Sequence, residues 1–260
     1  MGPWGIDSVA EMSAAKSASS FGGTLRQDAW WVEIAPALVV FSSFLVYATW
    51  RAFEGRFYQW GPYLSPFYSP LIDPHHHWWP FSPAILILGA PAGFRVTCYY
   101  YRKAYYRAFV LHPPACAVSE GEHRGYRGET SFPLILQNVH RYFFYIVTIV
   151  LCFLWYDAIV AFKFPEGFGV GVGSLIMIVN VVLLTTYSAS CHSLRHLVGG
   201  KLDCFSCVTL GKPRHSAWRF VTILNERHML WAWLSLFSVA LTDLYIRLVS
   251  AGVIRDIRLL

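Results

Sequence analysis

Five long apolar blocks alternate with short polar stretches along the chain, running from about Trp30 to Trp50, Pro83 to Leu111, Pro133 to Phe162, Gly169 to Val198 and Phe220 to Gly252. A helix rises about 1.5 Å per residue and the hydrocarbon core of a bilayer is about 30 Å thick, so about 20 apolar residues cross it. Every block is that long and several are longer. The pattern predicts an all-α integral membrane bundle of about five transmembrane helices, with polar ends projecting as helical extensions. Between the first two blocks, residues 51–82 are dense in Pro, Tyr and Trp. The prolines forbid a regular helix and the amphipathic rings suit the headgroup layer, so this segment is expected to form an ordered cap on the outer face. Residues 1–29 are small, Ser-rich and lack an apolar run behind a basic cluster. They read as a cytoplasmic arm and not as a signal peptide, ahead of a five-helix membrane domain over 30–260.

Composition agrees with this reading. Hydrophobic residues make up 55% of the chain, aromatic residues 17% and charged residues only 14%, too little charge to cover a water-soluble surface of this size. The formal charge of +6 does not indicate nucleic acid, because the basic residues gather at the ends of apolar blocks. With the N-terminus in the cytoplasm, the outer segments hold only Arg51, Arg56, Lys163, Arg247, Arg255 and Arg258. Arg95 lies inside the second block, and the other fourteen of the 21 Lys and Arg residues are cytoplasmic. The positive-inside bias therefore predicts N-in and C-out.

On that topology the sulfur and imidazole groups are unevenly spread. Cys98, Cys116, Cys191, Cys204 and Cys207 fall on the cytoplasmic half with His112, His123, His140, His192, His196, His215 and His228. A reducing cytoplasm argues against disulfides, and convergence of thiols and imidazoles suggests a metal centre. The densest stretch is Ser190-Cys191-His192-Ser193-Leu194-Arg195-His196, followed by Gly199-Gly200 and Cys204-Phe205-Ser206-Cys207. His192 and His196, at i and i+4, would project from one face of the fourth helix, and the glycines would end it. Two His and two Cys make the ligand set of a Rieske-type [2Fe–2S] centre, although the usual Cys-x-His and Cys-x-x-His spacings are absent. The same residues could hold a structural zinc, or be buried thiols and interfacial histidines with no metal.

A b haem needs two facing imidazoles, which His140 with His192, His196 or His228 could supply; two haems would need histidines that the first two blocks do not offer. Arg95 and the i, i+4 pair Asp243–Arg247 are intramembrane charges, readable as structural pairing or as a polar route. In the outer loop, Tyr63, Tyr68, His75, His76, His77 and Trp79 could hydrogen-bond and sandwich a quinone head; the alternative is interfacial packing.

The stretches Cys98–Arg107, Pro113–Val118, Gln137–Phe143, Cys191–His196 with its Gly-Gly, and Asn225–His228 resemble the membrane subunit of actinobacterial, particularly mycobacterial, succinate dehydrogenases, and the resemblance runs from about Trp30 onward. It implies a partnership with a flavoprotein and an iron–sulfur subunit in the plasma membrane, with a higher oligomer left open. It also implies an anchor that carries a Rieske-type [2Fe–2S] cluster in place of haem and reduces menaquinone. Candidate ligands are then His192 and His196, with His140 and His228 as substitutes, and Cys191 and Cys116 weighed against Cys204 and Cys207. Arg102, Lys103, Arg107, Arg214 and Arg219 are expected to dock the iron–sulfur subunit, with the quinone near the outer loop and not at the cytoplasmic mouth by His228 and Trp231. The remaining alternatives are a one-haem anchor of a succinate dehydrogenase or fumarate reductase and an anchor with only a structural zinc.

Overall fold

The computed structural model describes residues 21–72, 82–120, 128, 130–132 and 134–260. After a 3-10 turn at Trp30–Glu33 come helix α1 (Ala35–Glu54), a hairpin of β1 (Gln59–Trp60) and β2 (Tyr63–Leu64), and a 3-10 turn at Pro66–Tyr68. Then follow α2 (Pro83–Val96), α3 (Tyr99–Tyr105) with a π turn at Tyr106–Val110, a 3-10 turn at Leu134–Val139 and α4 (His140–Val160). A second hairpin of β3 (Lys163–Phe164) and β4 (Gly167–Phe168) leads to α5 (Val172–Ala189), and α6 (His192–Arg195) runs into a π turn at His196–Gly200. The chain closes with α7 (Gly211–Glu226) and α8 (His228–Ser250).

The expectation of a helical membrane bundle holds. Four helical stretches, Trp30–Glu54, Leu134–Val160, Val172–Ala189 and His228–Ser250, are long and apolar enough to cross a membrane, and Pro83–Val96 is a shorter apolar helix. Three predicted blocks are broken. The second stops when the Thr97 N–H turns back to Gly93 and Arg95, and Cys98 adopts extended backbone (φ −66°, ψ 127°). The fourth breaks the same way at Cys191 (φ −65°, ψ 140°), and the fifth divides at Arg227 (φ −110°, ψ 24°). Hydropathy averaged over a span does not reveal these breaks, because each falls within or at the end of a run whose mean stays apolar, even where the local residues are polar, as in Asn225-Glu226-Arg227-His228.

The chain divides into two compact units, residues 1–46 with 98–137, and residues 47–97 with 138–260. In the first, Gly22 N donates to Ser119 O and Ser119 N to Gly23 O, each at 2.9 Å. Arg26 bonds Asp28, Glu33 (2.8 Å) and the Cys116 carbonyl (2.9 Å), and Arg107 bonds Glu33 at 2.8 Å. The Arg26 guanidinium holds the Asp28 carboxyl below the usual carboxylate range.

In the second unit α4 packs on α2 and α5, and α5 packs on α8. Tyr63, Ala158, Ala161, Met177, Val181 and Ile246 form its core, while Tyr142, Ile149, Phe153 and Tyr156 on α4 and Leu234, Phe237 and Leu241 on α8 face outward. An apolar outer face on close-packed helices is what a lipid solvent stabilises. Polar bonds fasten the loop after β2 to the helices. Ser69 donates to Asp157 and Ser65 to Asp243. Tyr63 donates to Asp256 at 2.7 Å, and the Gly173 N–H donates to the same carboxylate at 3.0 Å. Gly173 is required here, since a Cβ would stand 2.4 Å from the Tyr63 ring.

Candidate functional site

Two hydroxyl–cysteine pairs, Thr97-Cys98 and Ser190-Cys191, stand at helix breaks, and each hydroxyl orients a histidine. Thr97 Oγ1 donates to Gly93 O at 2.7 Å, so it accepts from His140 Nδ1 at 3.0 Å. Ser190 Oγ donates to Tyr187 O at 2.8 Å, so it accepts from His228 Nδ1 at 2.6 Å. Both imidazoles therefore carry their proton on Nδ1 and present Nε2 as an acceptor. His140 Nε2 meets Cys191 Sγ at 3.1 Å. That sulfur, 1% exposed with its residue, also accepts from Ser193 N at 3.4 Å at the start of α6.

Aromatic rings wall the cluster. Phe94 stacks on His140 at 4.6 Å, Tyr187 stacks on His228 at 5.2 Å, and Phe94 meets Tyr187 edge-on at 5.4 Å. The Arg95 guanidinium lies 4.7 Å from the Tyr187 ring centre and donates to Ser235 Oγ at 3.0 Å and Ala232 O at 3.3 Å. It places a fixed positive charge within electrostatic reach of His228, which also senses His140 and His192.

The structure thus joins Cys191 to one substitute imidazole, His140, and holds the other, His228, on the hydroxyl of the adjacent Ser190. His192, a first-choice ligand, is exposed at the start of α6, and His196 opens the π turn. Cys116 lies in the other unit, exposed. Cys204 and Cys207 are joined in a disulfide, with Cα atoms 5.4 Å apart. This corrects the expectation that every cytoplasmic cysteine stays a thiol: the Cys-x-x-Cys turn brings the two sulfurs into bonding reach. Among the described residues no group of three or more His, Cys, Asp or Glu side chains is gathered closely enough to hold a metal.

The donors therefore fit a His/Cys-ligated cluster in part. They supply two Nε2 acceptors and one thiol of the right chemistry, while the second thiolate of a two-His, two-Cys set is not assembled beside them in this unit. A haem between His140 and His228 would have to displace Phe94 and Tyr187, whose rings link the two imidazoles.

Of the expected quinone contacts, Tyr63 and Tyr68 are wholly buried. Tyr63 is bound to Asp256, and Tyr68 stacks on Tyr58 at 4.2 Å and donates to Arg51 O at 3.0 Å. His75, His76, His77 and Trp79 lie outside the described residues. Among the docking candidates, Lys103 and Arg219 are exposed. Arg102 lies over the Tyr99 ring, Arg107 pairs with Glu33, and Arg214 turns inward to donate to Val198 O at 3.0 Å. Asp243 and Arg247 do pair, at 2.8 Å. Sequence reasoning missed Phe94, Thr97, Tyr187 and Ser190 as parts of the site; the repeated hydroxyl–cysteine pair was the available signal.

The profile of the family described as actinobacterial succinate dehydrogenase subunit SdhC matches residues 32–252. A chain of the Mycobacterium smegmatis Sdh1 complex in the apo form is similar in structure, with a TM-score of 0.81 and 45% sequence identity over 91% of this chain and 94% of that one. No curated protein matches.

Proposed function

The chain belongs to the SdhC family of actinobacterial succinate dehydrogenase subunits, and from that premise we propose that it takes electrons from the complex's iron–sulfur subunit and delivers them to menaquinone in the plasma membrane. As a subunit of succinate dehydrogenase it is part of a succinate:quinone oxidoreductase, and its membrane-crossing helices serve as the anchor. The observation that carries the electron-transfer reading is the matched pair of imidazoles, His140 and His228, each held by a hydroxyl, with the Nε2 of His140 3.1 Å from the buried Cys191 thiol. A Rieske-type [2Fe–2S] cluster, the group proposed for this place, would supply one-electron storage between the iron–sulfur subunit and the quinone. His140, His228 and Cys191 would hold it, with His192 in reserve.

The chain's own residues prepare that place. Thr97 and Ser190 fix the imidazole tautomers, Phe94 and Tyr187 exclude water, and Arg95 contributes a positive charge that favours arrival of an electron. With Tyr63 and Tyr68 bound to the protein, His75, His76, His77 and Trp79 are the outer-loop groups left to meet the quinone. Replacing the three histidines together by Ala should slow quinone reduction in an assembled complex; an unchanged rate removes the outer site.

Absorption and EPR spectra of the intact complex, with iron and zinc counts, test the main reading. The expected result is an iron–sulfur signal beyond those of the hydrophilic subunits, no Soret band, and loss of that signal in an assembled Cys191→Ser complex. Iron content fully accounted for by the hydrophilic subunits would refute it.

A further inference from the structure

Helix α7 has an outward stripe that the electron-transfer reading leaves unused. Ser216, Phe220, Ile223 and Arg227 are exposed at spacings of three and four, with Phe220 at 61% and Ile223 at 62%. The same spacing carries on through exposed Leu230, Leu234, Phe237 and Leu241 of α8, the face of a membrane-crossing helix that meets lipid. The stripe therefore continues an apolar surface across the break at Arg227.

Its depth follows from the register of α7 against its neighbours. Asn225 donates to Ser190 O at 2.7 Å, Arg195 to Thr222 Oγ1 at 3.0 Å, and Arg214 to Val198 O at 3.0 Å. Asn225 is thus level with the end of α5. The 18 residues of α5 rise about 27 Å, nearly the hydrocarbon thickness. Ile223 then lies about 3 Å beyond the hydrocarbon edge, within the headgroup layer, with Arg227 about 3 Å inside that edge. Phe220 and Arg219 lie about 8 and 9 Å beyond it, at the outer limit of the layer, from which a long arginine side chain still reaches the phosphates. Both arginines are exposed, and neither has an acceptor among the described residues.

We propose that the α7–α8 stripe binds an anionic phospholipid of the inner leaflet. Arg219 and Arg227 meet its phosphate region, and Ile223, Leu230 and Leu234 line its acyl chain. A cation at the bilayer surface attracts anionic lipid, whereas a zwitterionic headgroup gains little from it.

The test uses the intact complex in phosphatidylcholine nanodiscs carrying a trace of photoactivatable phosphatidylglycerol or, separately, photoactivatable phosphatidylcholine. Phosphatidylglycerol should label Phe220–Leu234 well above phosphatidylcholine. Labelling should fall about fivefold per arginine removed, or about 30-fold in R219Q/R227Q, and persist in R219K/R227K. Equal labelling by the two lipids in the parent complex overturns the proposal without any variant. So does unchanged phosphatidylglycerol labelling in R219Q/R227Q. Loss of the hydrophilic subunits from R219Q/R227Q with lipid labelling intact also overturns it, and assigns the stripe to protein docking.

Discussion

Replacing Arg247 with Met isolates a buried charge and should be among the most damaging single changes in the membrane domain. Asp243 is fully buried and the Arg247 side chain is 3% exposed. The guanidinium bonds Asp243 and Glu54 at 2.8 Å each and the carbonyls of Arg56 and Arg51 at 2.5 and 3.3 Å. In Arg247→Met, Asp243 keeps only hydroxyl donors, from Tyr47 at 2.6 Å and from Ser65. Breaking a buried pair from one side costs about 3–5 kcal/mol, because the surviving charge stays desolvated. That is a factor of about 100 or more in the unfolding equilibrium. Arg51 also pairs with Glu54, at 2.7 Å, but those side chains are 15% and 20% exposed, so Arg51→Met should cost about 1 kcal/mol or less. Asp243→Asn with Arg247→Met removes both charges and should recover most of the loss. Equilibrium unfolding in mixed micelles measures all three. If Arg247→Met is no worse than Arg51→Met, or the double variant no better than Arg247→Met, the ion pair is not what holds this end together.

Other outcomes follow from packing and exposure. Gly173→Ala must displace the Tyr63 ring and should cost about 1–3 kcal/mol in the same unfolding assay, whereas Gly89→Ala, with nothing within 4 Å of the new Cβ, should not destabilise. Burial and then the bond to Asp256 push the Tyr63 phenol up to about 12. Its contribution to stability should be complete below about pH 10, the unfolded value, and disappear as pH rises through 12. Tyr63→Phe should flatten that alkaline loss in an unfolding series. Alkylation of the intact complex should label exposed Cys116 before Cys191, and should label Cys204 and Cys207 only after a reductant is added.

The spans were legible because a bilayer demands about 20 apolar residues whatever their order, and four of the five blocks contain a helix long enough to cross. The loop's anchoring was not legible: Ser65, Ser69 and Tyr63 find Asp243, Asp157 and Asp256 across separations of 88 to 193 residues. At the site, sequence spacing favoured His192 and His196 because i and i+4 share a face on a continuous helix. The break at Cys191 removes that premise. It starts a new turn at His192 and leaves His140, from another helix, to meet the thiol, while His228 binds the neighbouring Ser190.

The bond from Asn225 to the Ser190 carbonyl has a consequence for how related chains should vary. A chain that leaves the α-helical path at this depth strands a carbonyl where water cannot solvate it, so a donor must arrive from the facing segment. Position 225 and the kink at 190–191 should therefore be inherited together. In a homologue with an aliphatic residue at 225, the helix should run straight through the cysteine and carry its sulfur away from His140.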